Sequence, residues 1–363
     1  MAKQSAVVVG AGVIGLTVAN QLQDSNLYNV TIVAECSPAD AISSGARQST
    51  KWASPWAGAH WRAWASNDNA PLQKMEIDTY HEMMALAENC PKSGIKKAPG
   101  MDLFEANSDS PIWYASMVSD ASEMTAIPLP DGVAHGLEYT TLIINVPVYL
   151  QYLLDRFVSS GGELVKQHIS HINDALAYIP ENEGLNQIPI VVNCTGLGSL
   201  ELGGVEDKNM YPIRGQTILI DAPDAKRTIT RIGKLFSYVI PRGDGTVIIG
   251  GTAEKGDWNE LPDNVATETI LHRALDLEPA LLPQHMSNLP AEAKVEALRN
   301  AVISVNVGFR PMREGGVRLD WKLVNSSAGK FKLVHCYGHG GFGYQSSFAY
   351  AKAVLELANM QLA

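Results

Sequence analysis

Gly10, Gly12 and Gly15 follow the apolar run Ser5-Ala6-Val7-Val8-Val9 with Gly-x-Gly-x-x-Gly spacing. Each glycine has a separate task in that pattern. The first permits a tight turn, the second lets backbone approach a pyrophosphate, and the third brings helix and strand together. The amides and positive dipole end of the helix beginning at Val13 and Ile14 then favour phosphate. A second apolar strand, Val30-Thr31-Ile32-Val33-Ala34, ends at Glu35, 25 residues beyond Gly10, where a carboxylate holds a ribose hydroxyl in dinucleotide-binding folds. The chemistry these residues support is dinucleotide binding.

Two further glycine turns follow strands, Val192-Asn193-Cys194-Thr195-Gly196-Leu197-Gly198 and Tyr337-Gly338-His339-Gly340-Gly341-Phe342-Gly343. Such turns let backbone approach a large planar ring. The third leads into a helix whose first amides are suited to negative charge developing on a reduced flavin. Three such turns in one chain point to FAD rather than a nicotinamide cofactor.

The elements around these turns define the architecture. A βαβ unit runs to about Cys36, followed by a polar loop, Ser43 to Thr50, and a helical stretch from about Leu72 to Leu86. Leu142 to Asn145 reads as a strand, a helix begins near Pro147, and Gly161-Gly162 stops it. Val165 opens a short strand, and Ile188 to Asn193 forms a buried one. From Tyr211 to Gly251 the pattern alternates, as in Gln216-Thr217-Ile218-Leu219-Ile220. A strand from Phe331 to Cys336 and a helix from about Ser346 to Met360 close the chain. The expected fold is mixed α/β: a Rossmann-like FAD-binding domain from residues 1–52, 145–204 and 305–363, and an antiparallel β-rich substrate domain from residues 53–144 and 205–304.

Composition sets outer bounds. The chain has 363 residues, 46% hydrophobic and 18% charged, which suits two folded domains rather than disorder. A formal charge of −10 argues against a nucleic-acid surface, so an anionic substrate needs locally placed cations. Cys36, Cys90, Cys194 and Cys336 are scattered without metal spacing and read as buried thiols; no metal site is expected. No apolar run is long enough for a membrane span.

The chain resembles the D-amino-acid oxidase and D-aspartate oxidase family of FAD enzymes. The likeness rests on eight ordered segments: the N-terminal fingerprint, Ala53-Ser54-Pro55-Trp56-Ala57-Gly58-Ala59, Asn193 to Gly198, Arg214-Gly215-Gln216, Tyr238-Val239-Ile240-Pro241, Gly250-Gly251-Thr252, Gly308-Phe309-Arg310-Pro311 and Tyr337 to Gly341. It implies noncovalently bound FAD. The cofactor contacts it implies are Gly10, Gly12, Val13, Ile14, Gly15 and Glu35 from the opening unit, with Ser49, Trp56, Ala57 and Gly58 after it. Cys194, Thr195 and Gly196 follow, then Arg310, and last Gly338, Gly340, Gly341, Phe342, Gly343, Tyr344 and Gln345.

The resemblance also implies a D-amino acid and molecular oxygen as reactants. Arg310 takes the position of the carboxylate-binding arginine, and a guanidinium can hold a carboxylate through two parallel hydrogen bonds. Tyr238 stands at a family position from which its hydroxyl can donate to the same carboxylate, and Gly341 lies in the flavin-facing turn with these catalytic positions. Neither catalytic segment supplies a proton-abstracting base, in keeping with hydride transfer from Cα to flavin N5. His335 and His339 read as structural or cofactor contacts. Oxygen then yields hydrogen peroxide, and the imino acid hydrolyses to a 2-oxo acid and ammonia. A homo-oligomer and a peroxisomal location are also implied, although the chain ends Gln361-Leu362-Ala363 without a Ser-Lys-Leu-like signal, which leaves the cytosol as the other location.

Substrate preference turns on departures from the family pattern. Arg231 lies seven residues before Tyr238, the spacing of an arginine in animal D-aspartate oxidases, and His60 stands where yeast neutral-substrate enzymes carry asparagine. Arg231 and His60 are therefore the candidates for a second carboxylate, with a solvated arginine and a loop histidine as the competing readings. Ser304 shares a strand face with Asn306 and Gly308 and is a third candidate, against a plain strand serine. Ala253 replaces a second arginine of the animal enzymes. An acidic D-amino acid, D-aspartate, is the expected substrate, and a neutral D-amino acid the alternative.

Overall fold

A computed structural model describes residues 3–42, 49–105, 112–124, 129–179, 188–327 and 329–361. Most of the polar loop expected from Ser43 to Thr50 lies outside the described residues. The chain divides into two compact units, one of residues 1–55, 147–213 and 309–363, the other of residues 56–146 and 214–308.

The first unit is built on a six-stranded sheet. Its strand order is Arg318–Ser326, Gly329–Tyr337, Ile190–Asn193, Gln4–Val9, Tyr28–Ala34 and Glu163–Lys166. All neighbours are parallel except the first pair, which forms an antiparallel hairpin. Ala6, Val7, Val8 and Val9 are buried, as are Ile190, Val191 and Val192. Strands apolar on both faces suit a central parallel position. The helices Val13–Asp24, Val146–Ser159 and Gly343–Asn359 begin where the glycine and proline signals place them.

The second unit carries an antiparallel-rich sheet ordered Glu254–Lys255, Met210–Asp221, Thr246–Gly250, Ser237–Pro241, Thr228–Ile232, Ile95–Phe104, His135–Ile144 and Ser119–Glu123, with Val302–Arg313 pairing beside Met210–Asp221. One face buries Ile218, Ile229, Val239, Ile249 and Leu103 against Ile270, Leu271 and Leu298 of the helices Asn264–Leu277 and Ala291–Asn300. The opposite face bears Tyr238, Ile240 and Ile248. The helix Ala70–Asn89 starts at Asn69, whose side chain accepts from the Leu72 amide, and Pro71 sits in its first turn. All four cysteines are free; Cys194 and Cys336 are buried as expected, whereas Cys36 and Cys90 are only half-buried because they lie just past element ends. Among the described residues, no group of three or more His, Cys, Asp or Glu could hold a metal, and no helix is long and apolar enough to cross a membrane.

Candidate active site

In the first unit the opening strand passes through Gly10 into a helix that Gly12 caps without a side chain. The missing cap is supplied from a distance: the Val13 amide donates to Ser54 Oγ at 2.9 Å, and the Tyr344 hydroxyl donates to the Ser54 carbonyl at 2.9 Å. Gly10 has φ +108°, and a Cβ there would lie 2.6 Å from the Cys194 carbonyl oxygen. At Gly15 a Cβ would overlap the Gly10 carbonyl oxygen itself. The first and second glycine turns therefore touch through backbone, which only glycine permits.

Two side-chain groups in the segment leading to Ser54 are buried without a hydrogen-bond partner, Thr50 Oγ1 and Trp52 Nε1. The Trp52 nitrogen lies 3.9 Å from where a Cβ on Gly12 would stand. Buried polar atoms are nearly always bonded, so a donor left over at the phosphate-approach glycine fits an anionic ligand. His339 Nε2 is likewise unpartnered in the third turn, where the ring packs edge-on to Tyr350. His335 lies within its strand, paired with Asn193, and its Nδ1 is 3.4 Å from Asn193 Nδ2.

The other expected cofactor residues fall as follows. Val13 and Ile14 open the first helix; Thr195 caps the short Gly196–Leu200 turn; Phe342 caps Gly343–Asn359, with Tyr344 and Gln345 in its first turn. Gly338 and Gly340 both have positive φ. A Cβ on Gly341 would meet Arg310 Cδ at 3.4 Å, so the Arg310 side chain runs alongside the third glycine turn. The Ser49 carbonyl accepts from the Trp52 amide. Glu35, at the end of the second strand, is exposed, and one of its oxygens is 3.1 Å from His168 Nδ1.

In the second unit, sheet register determines which residues share the Tyr238 face. Tyr238 pairs with Gly250 on one side and Thr230 on the other, and Thr230 pairs with Asp102. Paired residues project to the same side. Thr230 is 2% exposed, and its Oγ1 has no partner. The segment after Trp56 crosses this face: a Cβ on Gly58 would meet the Ile240 side chain, and Arg242 donates to the carbonyls of Ala57 and Gly58. His60 Nδ1 then sits 2.7 Å from Thr228 Oγ1. Trp56 packs where Gly308 leaves room, two residues beyond Asn306 on the strand that carries Ser304.

Beyond His60 the segment is anchored by backbone bonds. The Trp61 amide donates to Leu142 O, and the Trp64 and Ala65 amides donate to the carboxylate of the fully buried Glu76 at 3.0–3.1 Å. Asp102 accepts from the hydroxyls of Tyr114 and Tyr139 at 2.5 and 3.3 Å. Burial pushes the Asp102 carboxyl above its usual range, while the nearby Arg62 guanidinium opposes that rise.

One expectation needs correction. Arg231 pairs across strands with Ser237 and Leu103, and Leu103 belongs to the helix-covered core, so Arg231 lies on the face opposite Tyr238. Its Nε donates to Glu105 Oε1 at 2.7 Å and its Nη2 to the Asp131 carbonyl. The hairpin between the two strands reverses the chain, so a spacing of seven does not bring Arg231 beside the Tyr238 ring. Sequence reasoning also passed over Thr230, Arg62, Asp102 and Trp52. Their only sequence signals were proximity to Tyr238, His60 and the SPW segment.

His60 is half-buried, and desolvation, with Arg62 nearby, lowers its pKa to about 3. The imidazole is therefore neutral near pH 7, with one N–H to donate. Because the unfolded chain protonates near pH 6.5, this group contributes full stability above that pH. The contribution declines as pH falls toward 3, by about 1.4 kcal/mol per pH unit in that window. His60→Gln is expected to flatten the acid limb of a stability–pH curve by about that slope. Urea unfolding at pH 7 and pH 5 measures it; parallel curves for the two proteins would refute the assignment.

The full chain matches known proteins. The family model described as FAD dependent oxidoreductase covers residues 5–357. The D-amino-acid oxidase of Schizosaccharomyces pombe is 35% identical over 98% of this chain and 97% of its own length. The D-aspartate oxidase of Cryptococcus neoformans var. grubii is 32% identical over 97% and 95%. A solved glycine oxidase from Geobacillus kaustophilus shares the fold with a TM-score of 0.72 at 17% identity, covering 99% of this chain and 96% of that one.

Proposed function

Since the chain belongs to the D-amino-acid oxidase and D-aspartate oxidase family of FAD-dependent oxidoreductases, we propose that it oxidatively deaminates D-amino acids and prefers acidic ones, D-aspartate first. The chemistry FAD supplies when bound is acceptance of the Cα hydrogen with its electron pair, and delivery of the electrons to oxygen to give hydrogen peroxide. Arg310 binds the α-carboxylate as a planar, permanently charged fork. Tyr238 donates its hydroxyl to a carboxylate oxygen. Holding that end of the substrate fixes where Cα–H points, and orientation is the main contribution these residues make. No side chain is assigned as a base at Cα. The amine enters neutral, and the resulting imino acid hydrolyses in water to a 2-oxo acid and ammonia. Gly12, Gly341 and Trp52 would hold the cofactor, noncovalently.

The acidic preference is carried by the polar character of the Tyr238 face, where Thr230 offers a buried, unpartnered hydroxyl and His60 a neutral imidazole. A pocket for apolar side chains would have no use for an unpaired hydroxyl there. The neutral-substrate alternative draws support from Arg231, whose charge is already taken by Glu105. Anaerobic titration decides between them by bleaching of the yellow colour. D-aspartate should bleach it at lower concentration than D-alanine, with L-aspartate inert; preference for D-alanine would overturn the acidic reading.

A further inference from the structure

Resting on the reading of Arg310 as the α-carboxylate fork, we infer that Asp207 positions it, by tying the Arg310 strand to the third glycine turn. Asp207 lies beyond the second glycine turn, and its amide donates to the Ser199 carbonyl at 2.9 Å. Its side chain is only 5% exposed. One oxygen, Oδ1, accepts from the Asn209 amide at 3.1 Å. The other, Oδ2, accepts from Arg313 Nε at 2.8 Å and from the Tyr337 hydroxyl at 2.9 Å.

Those last two donors belong to the two segments that must be held together. Arg313 ends the strand Val302–Arg313, three positions beyond Arg310, and strand alternation sends the two side chains to opposite sides. Tyr337 ends the strand Gly329–Tyr337, one residue before the turn begins at Gly338. Between them the contact is backbone: the Gly340 amide donates to the Pro311 carbonyl at 2.8 Å, and Met312 bridges to His339. A Cβ on Gly338 would lie 2.8 Å from Arg313 Cβ, and one on Gly341 would lie 3.4 Å from Arg310 Cδ. A ladder this short and glycine-rich specifies its register weakly, and a slip would carry Arg310 along the turn. The carboxylate shared by Arg313 and Tyr337 removes that freedom.

The tie is of the strong kind, because the acceptor is charged and kept from water. Burial raises the Asp207 carboxyl, but the bonds from Arg313 and Tyr337 outweigh it and leave the group below its usual range. Arg318 completes the cluster. Its Nη1 donates to the Tyr337 hydroxyl at 2.9 Å, which directs that hydroxyl's own proton to Asp207, and stands 3.9 Å from Asp207 Oδ2.

The test uses FAD-loaded protein, with rates expressed per bound flavin. Asp207→Asn keeps the shape of the side chain but loses the charge and one of the two accepting oxygens. It should lower kcat/KM for D-aspartate and D-alanine alike by about 10²-fold, the cost of misplacing a reacting group by about 1 Å. The deciding measurement is a double-mutant cycle with Arg310→Ala. A residue acting through Arg310 leaves the double variant within about threefold of Arg310→Ala alone, whereas a structural role elsewhere multiplies the two losses. The dissociation constant of propionate, read from the flavin spectrum, should follow the same pattern. Asp207→Glu keeps the charge and should recover part of the loss. Tyr337→Phe removes a single bond and should cost about 5- to 10-fold, with the same non-additivity; it decides the matter if Asp207→Asn fails to retain FAD. Losses that multiply, or wild-type rates in both Asp207→Asn and Tyr337→Phe, overturn the positioning role alone. An Arg310→Ala variant with undiminished kcat/KM overturns the reading of Arg310, and the role of Asp207 with it.

Discussion

Arg310→Ala is expected to lower kcat/KM by about 10³-fold for every D-amino acid, acidic or neutral. Two charge-assisted hydrogen bonds to the α-carboxylate are lost together, and each contributes about 1.5–3 kcal/mol. The loss is common because every substrate carries that group. Arg310→Lys keeps the charge but not the fork, so it should recover only part of the activity. A peroxide-coupled assay across D-aspartate, D-glutamate and D-alanine measures the effect, and flavin content reports whether the fold is intact. A deficit confined to D-aspartate would move Arg310 from the α-carboxylate to the side chain.

Gly15→Ala should abolish cofactor retention. A methyl group at this position overlaps the Gly10 carbonyl oxygen, and neither partner is a flexible side chain that could swing away. Opening the gap pushes the first helix off its strand at the turn that approaches the pyrophosphate. Overpacking of this kind costs about 1–3 kcal/mol even where side chains can adjust, and backbone overlap belongs at the upper end. Purified protein should lack absorbance near 450 nm, and added FAD should not raise its Tm as it does for the wild type. Normal FAD stoichiometry in Gly15→Ala would show that the turn is more adaptable than its geometry indicates.

Local patterns carried the parts of the site that were legible in the sequence. The fingerprint glycines have duties defined by their immediate neighbours, and Ala6 to Val9 declare a strand by composition alone. The helix starts at Val13, near Pro147 and before Ser346 follow from glycine and proline chemistry at known offsets. Long-range register was not legible. Whether Arg231 or Thr230 faces the same way as Tyr238 depends on how the hairpin between them closes, and a shift of one residue exchanges the faces. Residues 231 and 230 lie seven and eight positions before Tyr238, and only pairing assigns them to opposite faces. Arg62 escaped notice for a related reason. Its relation to Asp102 arises from a segment crossing a sheet face, which leaves no periodic mark.

The order of strands in the first unit bears on how the protein is made. Ile190–Asn193, in the sheet interior, is flanked by Gln4–Val9 on one side and by Gly329–Tyr337 on the other. The latter is made only after the intervening second-unit segment, residues 214–308. Until it arrives, the earlier strand presents a bare apolar edge of the kind that recruits other chains. Nascent chains are therefore expected to be open to pairing with other chains in the interval between synthesis of the two strands.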